Sequence, residues 1–153
     1  MFERTVILMK PDAIHRHLIG EVIGRFERKG LKIVGLKMMQ LDDVLLDEHY
    51  AHHKEKPFFA SLKKFMKDAP IVAMVLEGQD AIQSVRLITG DTKGAAADAG
   101  TIRGDLAVSV QNNLIHASDA PDTAEAEVKR FFKEDELFSY TRVDESYVFE
   151  GRD

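Results

Sequence analysis

An α+β sandwich is the fold class the sequence predicts, on three observations. Four short apolar runs have the length and make-up of strands, the segments between them carry apolar residues at helical spacing, and no unit repeats. The first run, Thr5–Met9, is continuously apolar after its threonine, as in a strand covered on both faces. Lys10-Pro11-Asp12 ends it. Ile19, Val22, Ile23 and Phe26 then form one helical stripe, stopped at Lys29-Gly30. Leu31–Gln40 reads as the second strand. Asp43–His53 reads as a helix, Pro57 interrupts, and Leu62, Phe65 and Met66 place another over Phe58–Lys67. Ile71–Glu77 is the clearest buried strand. Asp80 can cap the next helix, which runs to Gly90. Leu114–His116 reads as the last strand. A helix follows from about Thr123, with Asp122 and Glu125 at capping-box spacing. Removing the short middle helical segment leaves βαββαβ, the ferredoxin-like arrangement: a four-stranded antiparallel sheet with helices on one face.

Between Gly90 and Asn113 the pattern changes. Glycines at 90, 94, 100 and 104 punctuate a weakly periodic stretch, and an ordered loop of that length in a compact domain is usually functional.

With 153 residues, 44% of them hydrophobic and 31% charged, the chain reads as a single globular domain spanning 1–153. Its net charge of -5 argues against a broad nucleic-acid or anionic-membrane surface. Without cysteine it has neither a disulfide framework nor a thiolate zinc site. No apolar run approaches the ~20 residues of a membrane span, and the N-terminus does not read as a signal peptide, so the expected location is the cytoplasm.

The chemistry-bearing candidates begin with His116, placed where an apolar run stops and Ala117-Ser118-Asp119 begins. Taken alone it is either a core histidine bonded to a backbone carbonyl or a site residue. Glu127 shares a helical stripe with Ala124, Val128 and Phe131, and a carboxylate entering an interior needs a partner. His116 is the natural one, unless Glu127 lies on the flank and faces water. Such a bond fixes the tautomer and leaves the other ring nitrogen free as a nucleophile. Arg86 shares a stripe with Ile82, Val85 and Thr89, and Arg103 lies in the glycine-rich loop. With Thr92 and Lys10 they can surround a phosphate, or each can be a solvated surface group. Phe58 and Phe59 point about 100° apart on a helix, so one can enter the core while the other offers a stacking platform for a base. His49 and His53 stand four apart, as two metal ligands on one helical face would. No third ligand is evident, and the loop lacks the P-loop pattern.

Five motifs in register, Lys10–Asp12, Glu48–Tyr50, Lys56–Phe59, Gly100–Asp105 and Asn113–Asp119, make the chain from about Glu3 to Glu150 resemble nucleoside diphosphate kinases. The resemblance implies the ferredoxin-like sandwich and transfer of a terminal phosphate from a nucleoside triphosphate to a nucleoside diphosphate, with Mg2+. It implies that His116 is phosphorylated through Nδ1 and that Glu127 and Ser118 orient its ring. Tyr50 falls at the place of a phenol near the transferred phosphate. Phe58 matches the base-stacking ring, with Val110 across the base, and Lys10 and Asn113 match residues that reach the sugar hydroxyls. Arg86, Thr92 and Arg103 match the phosphate clamp, and His53 matches a further position within reach of phosphate. The metal is implied to be held chiefly by phosphate oxygens and water, with Asp119 as an outer-shell partner. A covalent intermediate implies ping-pong kinetics. The implied assembly is a homo-oligomer, hexameric and built from dimers.

The chain departs from the family pattern at several places. Ala117, Ala13 and His17 stand where glycine is usual, Lys93-Gly94 replaces Asn-Pro, and Ala99 replaces a proline. A methyl at 117 is expected to restrict the backbone beside His116, and fewer prolines to loosen the loop. Two other functions are weighed against the kinase: a nucleotide-binding module without catalysis, and a metal hydrolase using His49 and His53.

Overall fold

The apolar runs assemble into a four-stranded antiparallel sheet in a computed structural model that describes residues 2–151. Strand β1 (Phe2–Met9) lies between β3 (Ile71–Gln79) and the short β4 (Ile115–Ala117), and β2 (Lys32–Met39) pairs with the far side of β3. The order β2-β3-β1-β4 with every neighbour antiparallel is that of the expected ferredoxin-like sheet.

Helices cover both faces of this sheet, not one. Successive strand residues point to opposite sides. Ile7, Met9, Val72, Met74 and Leu76 therefore join Val22 and Phe26 of a helix at Ile19–Lys29 and Val85 of another at Ala81–Thr89. Val6, Leu8, Ile71, Ala73 and Val75 face the other way. They pack against Leu46, Met66 and Phe131, one from each of helices Asp43–His49, Phe59–Met66 and Pro121–Phe131. Adding the short helices at Pro11–His15, Ile102–Leu106 and Glu145–Val148, the helices are numbered in chain order: α1 (Pro11–His15), α2 (Ile19–Lys29), α3 (Asp43–His49), α4 (Phe59–Met66), α5 (Ala81–Thr89), α6 (Ile102–Leu106), α7 (Pro121–Phe131) and α8 (Glu145–Val148). None is long and apolar enough to cross a membrane.

Several boundaries differ from the expectation. Helix α3 stops at His49, Tyr50 leaves helical geometry, and Ala51–His53 form a separate 3-10 turn. Helix α7 starts at Pro121, so Asp122 lies in its first turn and the expected capping box does not form. Asp80 takes the N-cap place of α5 in left-handed backbone, φ 47°, without a side-chain cap bond. Leu114 is not in the strand: its φ is 76°, and β4 begins one residue later.

The glycine-rich stretch is tied down. Gly94 is buried so closely against the 107–108 backbone that a Cβ there would lie 2.5 Å from the Ala107 carbonyl. Arg25 Nη1 donates to the Gly100 carbonyl at 3.1 Å and to Asp105 Oδ2 at 2.8 Å, and the Thr101 hydroxyl caps α6 through Gly104 N–H. Loss of the usual prolines has not left this segment without anchors.

Candidate active site

His116 lies on β4 opposite Leu8, so its ring leaves the sheet toward α3 and α7. There its Nε2 meets Glu127 Oε2 at 2.5 Å, the contact the α7 stripe called for. Glu127 is 2% exposed and the His116 side chain 26%. The carboxylate is thus sealed behind the ring while the ring reaches solvent. The proton is assigned to Nε2 by this contact, which leaves the Nδ1 lone pair free. Burial alone would push the Glu127 pKa up. The hydrogen bond and charge of His116, then Ser118 and His49, hold it below the usual carboxylate range instead. Ser118 is fully buried, its Oγ accepting from Val6 N–H at 3.2 Å, and it acts on Glu127 rather than on the ring directly.

His49 is the residue that sequence reasoning placed wrongly. Ending α3 at His49 separates it from His53, so the two do not share a helical face. His49 instead turns inward. Its ring stands edge-on to His116 at 4.7 Å, and its Nδ1 lies 3.6 Å from Glu127 Oε2. Arg130 Nη1 donates to that Nδ1 at 2.9 Å. Burial, then His116 and Arg130 against the opposing charge of Glu127, lower the His49 pKa to about 3, so it is neutral and accepts. His49, His116 and Glu127 are close enough to hold a metal ion, but a guanidinium already occupies the His49 lone pair.

From this centre a line of rings runs outward. Tyr50 packs on His49 at 4.6 Å, His53 on Tyr50 at 6.1 Å, and Phe58 on His53 at 5.1 Å. Phe59 is buried and Phe58 is 47% exposed, the division expected of two adjacent rings. Burial, with Glu127 second, raises the Tyr50 pKa to about 12, so its phenol keeps its proton. His53 Nδ1 is buried without a hydrogen bond among the described residues. Val110 and Asp119 are exposed, and Asp119 makes no ion pair among the described residues.

A second network carries positive charge. Lys10 is buried at the end of β1 and donates to Asn113 Oδ1 at 2.6 Å and to the Gln111 carbonyl at 2.8 Å. Burial lowers its pKa to about 8, with Asp12 opposing and Arg103 assisting. Asn113 Nδ2 in turn donates to the Thr92 carbonyl at 2.9 Å, and the exposed Thr92 has no side-chain hydrogen bond among the described residues. Arg103 is buried, and three of its five N–H groups go to backbone carbonyls: Asn113, Gly90 and Ile115. The other two donors have no hydrogen bond among the described residues. Arg86 on α5 makes no ion pair among the described residues and is close enough to Arg103 to lower its pKa, second to burial. The two networks meet where Arg103 holds the Ile115 carbonyl, one residue before His116.

Known proteins resemble this chain along nearly its whole length. Residues 3–137 match the family model described as nucleoside diphosphate kinase. A nucleoside diphosphate kinase of Archaeoglobus fulgidus is 49% identical over 150 residues, 98% of this chain and 99% of the relative. One of Parabacteroides distasonis is 54% identical over 138 residues, 90% of each chain. The structure of a halophilic nucleoside diphosphate kinase from Halobacterium salinarum in complex with CDP matches with a TM-score of 0.95 and 45% identity, over 98% of this chain and all of that one.

Proposed function

The chain belongs to the nucleoside diphosphate kinase family, a family of phosphotransferases, and from that premise we propose that it moves the γ-phosphate of a nucleoside triphosphate to a nucleoside diphosphate through a phosphohistidine at His116. The observation that carries the reading is the 2.5 Å contact of His116 Nε2 with a buried carboxylate, which leaves Nδ1 bare on a partly exposed ring.

In the first half-reaction the Nδ1 lone pair attacks the γ-phosphorus. The bond to the β,γ-bridging oxygen breaks and its electrons leave with the nucleoside diphosphate. The ring becomes cationic, and Glu127 stabilises that charge through Nε2–H. In the second, a terminal oxygen of another diphosphate attacks the phosphohistidine phosphorus and the ring is restored, which is ping-pong order. Arg86, Arg103, Lys10 and the Thr92 hydroxyl neutralise and hold the phosphates. Tyr50, kept protonated, donates to an oxygen of the transferred group, and His53 lies beyond it in the ring line. Lys10 and Asn113 reach the sugar hydroxyls, while Phe58 stacks on the base against Val110. The donor set fits Mg2+ arriving on the nucleotide: cations face the phosphates, and Asp119 has a carboxylate uncommitted to any ion pair among the described residues for the metal's water shell. The metal supplies charge neutralisation.

The same reading makes 1–153 one catalytic domain of the cytoplasm and a homo-oligomer, with a hexamer as the expected state. Leu36 and Met38, half or more exposed on the edge strand β2, are consistent with burial against another copy. Light scattering reads the state directly.

Incubation with γ-labelled ATP and Mg2+ should leave acid-labile, base-stable label on the wild-type protein and none on His116→Ala. Retention of most transfer activity by His116→Ala would overturn the mechanism.

A further inference from the structure

Asp12 has no task in the reaction as written, yet it touches the least relaxed piece of backbone near His116. Ile115 N–H donates to the Asn113 carbonyl at 3.0 Å, closing a three-residue turn around Leu114 at φ 76°. That is the strained γ-turn, a costly conformation for a residue with a side chain. Such a turn persists only where its surroundings hold it. Leu114 N–H donates to Asp12 Oδ2 at 2.9 Å, and the Leu114 carbonyl accepts from Lys10 N–H at 2.8 Å. Arg103 holds the carbonyls on either side, Asn113 through Nε at 3.2 Å and Ile115 through Nη2 at 2.6 Å. Of these clamps, Asp12 Oδ2 is the side-chain acceptor for the Leu114 amide itself.

We propose that Asp12 is a positioning residue for phosphotransfer, pinning through Oδ2 the turn that sets Asn113 against the Lys10 ammonium and launches the strand bearing His116. The proposal rests on His116 being the phosphate acceptor. Without Asp12 the Leu114 amide loses its partner, and the peptide between Asn113 and Leu114 can rotate toward relaxed geometry. Asn113 then leaves Lys10 and the His116 ring changes its angle, so the loss is one of alignment. A second consequence is electrostatic. Asp12 Oδ1 is buried without a hydrogen bond among the described residues, and its charge acts on Lys10. Lys10 is otherwise faced by Arg103 from α6, the Gln111 carbonyl and Asn113 Oδ1 from the loop, and the Phe65 ring of α4 at 5.6 Å. Removing the carboxylate lowers the pH at which Lys10 loses its proton.

The test is single-turnover phosphorylation by ATP and Mg2+ across pH, with Asp12→Ala and Asp12→Asn. Asp12→Ala is expected to lose about tenfold or more in rate at saturating ATP. Asp12→Asn keeps an oxygen for the Leu114 amide and should recover part of that loss at pH 7. Its alkaline limb should fall at lower pH than that of the wild type. A loss of fold stability alone would not move that limb. A wild-type rate in Asp12→Ala overturns the proposal. So does an Asp12→Asn variant that is unrescued and has an unmoved limb, the deciding result should the alanine variant fail to fold. Absence of label on the wild type, or label on His116→Ala, would instead sink the phosphohistidine reading.

Discussion

Arg130 donates through Nη1 to His49 Nδ1 at 2.9 Å, and that contact sets a guanidinium behind the His116–Glu127 pair. It requires an unprotonated His49. Its pKa, about 3 in the folded protein and about 6.5 in an unfolded chain, is depressed chiefly by burial, with His116 and Arg130 adding to the effect. A group depressed in this way contributes stability that is fully present above the unfolded pKa and is lost as pH falls toward the folded one. Between pH 6.5 and 3 the loss runs at about 1.4 kcal/mol per pH unit. His49→Phe leaves Arg130 without its acceptor, at roughly 1–3 kcal/mol, but removes the titration. Denaturant unfolding should find the variant weaker at pH 7, with the two stability curves meeting near about pH 5. Parallel acid limbs would show that His49 is not the group protonated.

Glu127→Gln keeps the size of the side chain and an oxygen for Nε2–H but removes the charge proposed to stabilise a phosphorylated ring. Partners standing behind a reacting ligand are commonly worth about ten- to a hundredfold. The rate of His116 phosphorylation should fall by that order while the KM for nucleotide holds, because Glu127 is sealed behind the ring. A raised KM with an intact rate would mean that Glu127 shapes the pocket instead.

Glu127 and His49 also mark what the sequence could disclose. A carboxylate on an apolar helical stripe must find a partner, and His116 was the candidate within reach, so that contact was legible. Phe58 and Phe59 are legible as a pair for a similar reason, since a rotation of about 100° between adjacent residues separates core from cleft. His49 was not, because the group that fixes it lies on α7, 81 residues away. Leu114 read as a strand because it is apolar and precedes Ile115. Its left-handed φ is imposed by Asp12, 102 residues back. The second helical layer does not follow from a pattern that sets the short middle helical segment aside and leaves the face of the last helix open, although the continuous apolar strands already require cover on both faces.

Phe58→Ala tests the proposed base platform. The ring is half exposed, with His53 at its edge and Lys56 over its face, so its loss should leave unfolding midpoints unchanged. Stacking on one aromatic is worth roughly 1–3 kcal/mol, or about 5- to 150-fold in KM. Purine and pyrimidine nucleotides should weaken together, measured as KM for a panel of diphosphates. Loss confined to one base would point to edge recognition elsewhere.

His17 sits at φ 58° just after α1, in the place of a usual glycine. Left-handed backbone costs a residue with a side chain about 1–2 kcal/mol, whereas glycine's extra freedom in the unfolded chain costs about 0.4–1 kcal/mol. His17→Gly should therefore raise stability by about 1 kcal/mol in denaturant unfolding. A lowered midpoint would show that the imidazole contributes more than its backbone strain costs.

Ala117 stands beside His116 where glycine is usual, and its methyl is the one expected to restrict the backbone there. The residue pairs with Ile7 in β4, is buried in the core on the face away from the His116 ring, and is not among the left-handed residues. An extended strand residue gains nothing from glycine's freedom, and its methyl fills core volume rather than the space in front of Nδ1. Ala117→Gly should consequently cost about 1 kcal/mol of stability, from a looser strand and a small void, and leave the rate of His116 phosphorylation at its wild-type value. Single-turnover labelling and denaturant unfolding on the same preparations separate the two effects. If glycine at 117 instead raised the rate, the methyl would have to crowd the incoming phosphate, and the alanine would then be a brake on transfer rather than a neutral strand residue.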